Sequence, residues 1–543
     1  MALSAPPRDT SFDRARALRG PVPVTLGGVL LGLLGGLAVA RLGPVLPLLL
    51  LIGTVGAALI LVEPRWGLLG TLGIVTILPF GTLPFKVGLT PTLIECALGL
   101  TWLVFALRLF LRRDERLLPT ALDGPLAFFL LITLFAFILG LGGSYTTATI
   151  HDYVKMLLAI SIFFLVTNLI RTRGELRLAL TALTALGAAA AALGLALWAL
   201  GARAEALLAR LAIVGYPTGK IIRYLEDNPA KAIRATGTGV DPNSFAGLLM
   251  VVLVLAIGQF AARRALVPRL VIAPAIPLLG LCLLLTQSRA SWLGAAAGVA
   301  LLALLRYRRL LPPIVLAVPL ILVLGIGRSF IGRFVLGIRL QDPATQLRLA
   351  EYRNALAIIR EHPVFGVGFG AAPSIDLQTG VSSVYLTLAE RVGLFGLGLY
   401  LLLLVIIGLQ LRPALFAGHA RDTAAGEAAL ALGGALLAGI VAGILDHYFF
   451  NITFPHMVAL FWSLVGLALV ATRLARATDT PHCRFGRDCG RRGRVARHYG
   501  YTSHRSTSEM VDRKVYVRHH WPVGRSAGWQ GRVPDGGTQV REL

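Results

Sequence analysis

Charge is scarce in this chain, and acidic charge scarcest of all. Only 15% of its 543 residues are charged, with 27 acids against 52 lysines and arginines. A water-soluble domain carries about 25% charged residues, so a soluble globular fold is excluded. Cysteine is rare too. Cys96 and Cys282 lie inside apolar runs and Cys483 and Cys489 in the polar end of the chain, a distribution that gives no disulfide framework. A phosphate-binding P-loop is missing, because GYPTGKII at Gly215–Ile222 is one residue short and has no hydroxyl after Lys220. The segments read below as outward loops hold no Asp-x-Asp pair, so neither a bound metal nor any other cofactor is expected. His482, Cys483, Cys489 and His498 have a spacing that matches no closed zinc site.

What fills the sequence is apolar residues, at 56%, with a mean hydropathy of +0.74. Runs of about 20 apolar residues, the length that crosses about 30 Å of hydrocarbon as a helix, recur from Pro23 to Leu474. Only helices satisfy their own backbone in lipid across such single segments. The expectation is an all-α, polytopic transmembrane helix bundle of about 12–14 spans. Residues 1–21 form a cytoplasmic N-terminal segment, residues 22–474 the transmembrane domain, and residues 475–543 a disordered, basic cytoplasmic tail. The spans centre near Gly32, Gly53, Thr76, Trp102, Leu134, Ser161, Ala188, Val252, Pro274, Gly298, Ala317, Leu397, Ala438 and Trp462.

The formal charge of +25 gathers between apolar runs and in the tail, not on one folded face, which argues against nucleic acid. Arg65, Arg108, Arg171, Arg263, Arg306, Arg308, Arg309, Arg412 and Arg421 fall in alternate connections, whereas the short intervening ones hold only Arg41, Lys86 and Arg289. That asymmetry places both termini inside a bacterial plasma membrane. Two outward loops are long, residues 201–242 and 328–381, and loops of that length are usually functional or disordered. The second carries an amphipathic stretch with Leu349, Tyr352, Leu356 and Ile359 on one helical face before Pro363.

An ionisable group inside a membrane helix costs about 3 kcal/mol on insertion scales, so each needs a reason. Glu95, Asp152, Lys155, Arg289, Glu390, Arg391, Asp446 and His447 all sit toward the outer ends of their spans. One polar pocket at the outer leaflet, roofed by the two long loops, is the economical reading. The alternative is that Glu95 and Lys155 pair to hold helices together and the rest reach the interface. Arg234, Arg289 and Arg348 are forks suited to diphosphate oxygens, or else to headgroups. Gly366, Gly368 and Gly370 are either an anion-binding turn or a place where the backbone bends. Gly393 and Gly396 are read as permitting close helix packing.

Four motifs then occur in order: RATGTGVDPNSFAGLL at Arg234–Leu249, TQSRASWLG at Thr286–Gly294, RLAEYRNALAIIREHPVFGVGFG at Arg348–Gly370 and SSVYLTLAERVGLFG at Ser382–Gly396. Together they resemble the bacterial O-antigen ligase and O-antigen polymerase family, over roughly Arg234 to Leu411. The resemblance implies a metal-independent, inverting glycosyltransferase on the outer face of the inner membrane. Its donor is a glycan on undecaprenyl diphosphate and its acceptor a glycan or lipid hydroxyl. It further implies that Arg234 and Arg289 hold the diphosphate, with Arg348 assisting.

The chain departs from the family where the ligases carry histidine followed by Asn, Ser or Gln, nine residues and Gly-x-x-Gly. The spacing to Gly393 and Gly396 is kept, but the histidine position is Ser382. A serine hydroxyl has no useful basicity near pH 7. Ser382 orients the acceptor, or Glu390 or His362 supplies the base, or activity is lost; a base is also dispensable if diphosphate departure leads. The candidate catalytic residues are therefore Arg289, Glu390 and Ser382, and the competing readings are a transporter of an amphiphilic solute and an inactive scaffold of glycan assembly.

Overall fold

The computed structural model describes residues 45–83, 90–111, 116–140, 145–216, 222–225, 228–312, 343–370 and 381–477, with isolated positions between 32 and 43 and at 316. The expected N-terminal segment 1–21, the chain from 478 onward and the span centred at Ala317 lie outside the described residues.

Among the described residues, fourteen helices of eight residues or more carry the fold: α1 (Val45–Val62), α2 (Arg65–Ile77), α3 (Leu93–Leu111), α4 (Asp123–Leu139), α5 (Thr147–Leu169), α6 (Arg173–Leu200), α7 (Pro242–Ala261), α8 (Arg269–Thr286), α9 (Arg289–Leu305), α10 (Pro343–Glu361), α11 (Val384–Arg391), α12 (Gly393–Phe416), α13 (Ala424–Leu445) and α14 (Pro455–Ala477). Eight are long and apolar enough to cross a membrane: α3, α5, α6 with its continuation to Val214, α7, α8, α12, α13 and α14. Shorter apolar helices occur in α1, α2, α4 and α9. The protein is thus an all-α, polytopic membrane protein. Twelve of the fourteen expected centres fall on these apolar helices.

Local chemistry fixes where several helices begin. Thr172 and Glu175 form a capping box at α6, and Thr146 and Thr423 accept from Thr149 N and Gly426 N at α5 and α13. Asp241 accepts from Ser244 N at 2.6 Å ahead of Pro242, the first residue of α7. Each cap satisfies donors that a helix start leaves open.

Helices α7 and α14 are buried on nearly all sides and form the centre of the bundle, with α13 beside them. Small residues bring these helices together. A methyl on Gly294 would stand 2.5 Å from the Ala438 carbonyl, and one on Gly298 2.6 Å from the Gly434 carbonyl, so α9 and α13 touch backbone to backbone. Gly258 of α7 meets Ala431 of α13 in the same way.

The long connection after α6 holds a two-stranded antiparallel ribbon, β1 (Arg223–Tyr224) with β2 (Ile233–Arg234), in which Arg223 faces Arg234. The amphipathic stretch is helical as expected, but its buried face is turned from the one read in the sequence. Glu351, Ala355, Ile358 and Ile359 are buried while Leu356 is exposed. The reason is Glu351, whose carboxylate is drawn inward to accept from Ser382 N at 3.0 Å.

Candidate active site

Three helix ends meet at one end of the bundle: the start of α7 at Asp241–Asn243, the α8–α9 turn at Gln287–Arg289 and the end of α13 at Asp446–Tyr448. The β-ribbon and α10 complete the walls. Between them lies a cavity of about 330 Å³ lined by four arginines, Arg223, Arg234, Arg289 and Arg348, and by Asp241, Glu351, Ser382, Asp446 and His447.

Each arginine is held by the fold. Arg234 Nε donates to the Thr286 carbonyl at 2.8 Å and one Nη to Asn243 at 2.7 Å, joining the ribbon to α8 and α7. Arg289 begins α9 two residues after Gln287, whose φ of 55° makes the turn tight, and it donates to Thr345 Oγ1 at 3.4 Å. Arg348 reaches down from α10 to within 3.7 Å of Asp446. Arg223 and Arg234 stand directly opposite on the paired strands and bring two like charges to the cavity.

Three acids share the cavity with the arginines. Asp241 caps α7 and Glu351 holds the Ser382 backbone. Asp446 is 4% exposed, and burial lifts its carboxyl above the ordinary aspartate range, with Arg348 and then His447 opposing. Among the described residues its Oδ2 has no hydrogen-bond partner, and neither has either ring nitrogen of His447, although Nδ1 lies 3.6 Å from Asp446 Oδ1. A buried imidazole with both nitrogens unsatisfied, lining a polar cavity, is available to a group that enters it. Beneath it Tyr448 pairs with Ser291 at 3.1 Å, and burial pushes its phenol upward, so it stays protonated.

Of the residues singled out in the sequence, Arg234, Arg289, Arg348 and Ser382 line this one cavity. Glu390 does not. It is buried at the end of α11, 3.3 Å from Arg391 Nε, and burial raises its carboxyl. His362 is exposed past the end of α10 and lies off the cavity as well. Ser382 is engaged through its backbone, N–H to Glu351 and carbonyl from Tyr352 at 2.9 Å. The expectation of one pocket for every outer-end charge is corrected by these positions. Glu95 accepts from Thr92 and meets His151 at 2.7 Å, and Lys155 pairs with Asp152 at 2.5 Å. The glycine run is a docking turn: Val367 and Gly368 N–H groups are spent on the Glu390 and Arg391 carbonyls at 2.9 and 3.0 Å.

Arg223 and Glu351 are what sequence reasoning did not assign to the site. Asp446 and His447, expected in one outer pocket with the other span-end charges, do line the cavity, but that both His447 ring nitrogens lack a hydrogen bond among the described residues shows only in three dimensions.

Residues 273–401 match the O-antigen ligase family model. Three of the four motifs, from Thr286, Arg348 and Ser382 onward, lie inside that match, and the first, at Arg234, lies before it. No curated protein matches the chain. The O-antigen ligase segment supplies Arg289, Arg348, Glu351 and Ser382 to the cavity, while Arg223, Arg234, Asp446 and His447 come from outside it.

Proposed function

We propose that the protein is a membrane glycosyltransferase that moves a saccharide from a polyprenyl diphosphate carrier to an acceptor hydroxyl. The observation that carries the reading is the convergence of four arginines on one cavity beside His447, whose ring nitrogens make no hydrogen bond among the described residues. Guanidinium forks match diphosphate oxygens two at a time, and their bonds to an anion are roughly twice as strong as neutral ones. Such preorganised charge stabilises the leaving group where charge develops.

In this reading Arg234, Arg289 and Arg348 hold the diphosphate and Arg223 adds charge from the ribbon. The acceptor oxygen forms a bond to the anomeric carbon as the bond from that carbon to the diphosphate oxygen breaks, and the electron pair leaves on the diphosphate. Attack from the face opposite the leaving group inverts the centre. The hydroxyl proton passes to His447, which takes the part left open by Ser382, and Asp446 steadies the imidazolium that results. A general base contributes typically 10²–10⁴-fold. The O-antigen ligase match supports this class of donor, and both polymerase and ligase chemistry use the same steps.

The test is incubation of the purified protein with undecaprenyl diphosphate-linked repeat units, following carrier diphosphate release and product size, for wild type and Arg289→Ala. Wild-type release that the variant loses is the expected result. A ladder of longer lipid-linked glycans assigns a polymerase and a single transfer to a second acceptor a ligase. Absence of release by folded wild type would sink the enzyme reading and leave transport or scaffolding.

A further inference from the structure

The three helices that meet at the arginine-lined active-site candidate meet again at their other ends. Helix α7 finishes at Ala261 and α9 at Leu305, and α13 starts at Ala424. At 1.5 Å per residue, the 20 residues of α7 separate the two places by about 30 Å, one hydrocarbon thickness. The second place also holds a cavity, of about 320 Å³, lined by Arg263, Arg306, Arg308, Arg309, Arg421, Tyr307 and Asp422.

Its charge is not balanced from within. Asp422 and the buried Glu427 are both engaged by Arg306, at 2.8 and 3.2 Å. Arg309 donates to the Ala261 carbonyl. Among the described residues, the guanidinium groups of Arg263, Arg308 and Arg421 make no hydrogen bond or ion pair. Tyr307 is 5% exposed and, among the described residues, its hydroxyl has no hydrogen-bond partner. Tyr307 thus sets a buried, unengaged hydroxyl donor beside an excess of guanidinium groups, a set of donors that suits an oxyanion. Apolar residues continue from the cavity's rim, since Phe260 and Leu304 are exposed one and two residues before Ala261 and Arg306.

We propose that this cavity binds a phosphate-bearing anion, drawn from the headgroups of anionic phospholipids in the leaflet opposite the active-site candidate. Arginines take the phosphate oxygens and Tyr307 donates to one of them, while acyl chains lie along Phe260 and Leu304. Basic pockets between membrane helices favour headgroups with more than one phosphate over neutral ones. The site does not depend on the glycosyltransferase reading.

The experiment is native mass spectrometry of the full-length protein titrated with cardiolipin, with phosphatidylcholine, and with inorganic pyrophosphate. The variants are Arg263→Gln/Arg308→Gln, which leaves the Arg306 ion pairs intact, and Arg412→Gln, a basic residue elsewhere at the helix ends. Wild type should retain cardiolipin roughly tenfold more tightly than the double variant, the equivalent of one lost charge-assisted contact. The Arg412→Gln protein should behave as wild type. Retention of pyrophosphate that the double variant loses would also support the phosphate site and would assign its source to a soluble anion. Equal cardiolipin retention by wild type and double variant, an equal loss in Arg412→Gln, or no preference over phosphatidylcholine would each overturn the proposal.

Discussion

Arg348 of α10 reaches Asp446, the residue that ends α13, at 3.7 Å. This contact ties the roof of the cavity to the core of the bundle, and it places a permanent cation against a carboxyl that burial would otherwise keep neutral.

A pH dependence follows with a definite sign. Burial raises the folded-state pKa of Asp446 above its ordinary 3.8, so between those two values the folded protein holds a proton that the unfolded chain has released. Stability contributed by this group is therefore greatest at low pH and falls as pH rises through the folded-state pKa. Asp446→Asn removes the group. Thermal unfolding of wild type and variant in detergent across this window should show the variant gaining relative to wild type as pH rises, and a constant difference would remove Asp446 as a titrating group.

His447 is expected to carry the proton. His447→Gln keeps the size and loses the basicity, so turnover should fall roughly 10²–10⁴-fold. Donor affinity should change little, because the arginines remain. Ser382→Ala removes a hydroxyl whose backbone neighbours do the anchoring and Glu390→Gln alters a group off the cavity, so both should retain most activity. Release of carrier diphosphate under single-turnover conditions separates them; a loss in Glu390→Gln or Ser382→Ala as large as in His447→Gln would reject the assignment.

Where the helices lie was legible in the sequence, because length and apolarity suffice for that: Trp102, Val252 and Trp462 all fall within the helices centred on them. What lies across from what was not legible. Position along a span gives height in the bundle but not the direction a side chain faces, and so Glu95 was grouped with Lys155 when its partner is His151, and Glu390 with a cavity it does not reach. The arginines were singled out because guanidinium forks in the outward connections suit diphosphate oxygens and because the motifs that carry them resemble those of a family in which arginines hold the diphosphate. Arg223 was missed since only the pairing of two-residue strands sets it beside Arg234.

Gly298 is a position where a side chain has no room. Its missing Cβ would stand 2.6 Å from the Gly434 carbonyl and 2.9 Å from Val254, neither of which can give way without moving a central helix. Gly298→Val should destabilise the protein by about 1–3 kcal/mol, the usual cost of overpacking. Gly280→Ala, where nothing lies within 4 Å, should be tolerated. Unfolding temperatures in detergent decide; equal behaviour of the two variants would contradict the backbone contact between α9 and α13.

The orientation of the two arginine-lined cavities follows from helices that run the full distance between them. Lys231, in the connection that bears the β-ribbon, and Arg263, just after α7, are both exposed. Between them the chain passes once through the bundle as α7, whose 20 residues are long and apolar enough to cross. A cysteine at Lys231 and a cysteine at Arg263, each in a protein with its native cysteines replaced, must then lie on opposite sides of the membrane. On the alternating arginines Lys231 is expected outside, because Arg263, Arg306 and Arg421 all gather at the other face. An impermeant maleimide applied to intact cells should label Lys231→Cys at once and Arg263→Cys only after lysis. The reverse pattern would turn the whole bundle over and put the donor site on the cytoplasmic side, and labelling of both from outside would mean that α7 does not cross.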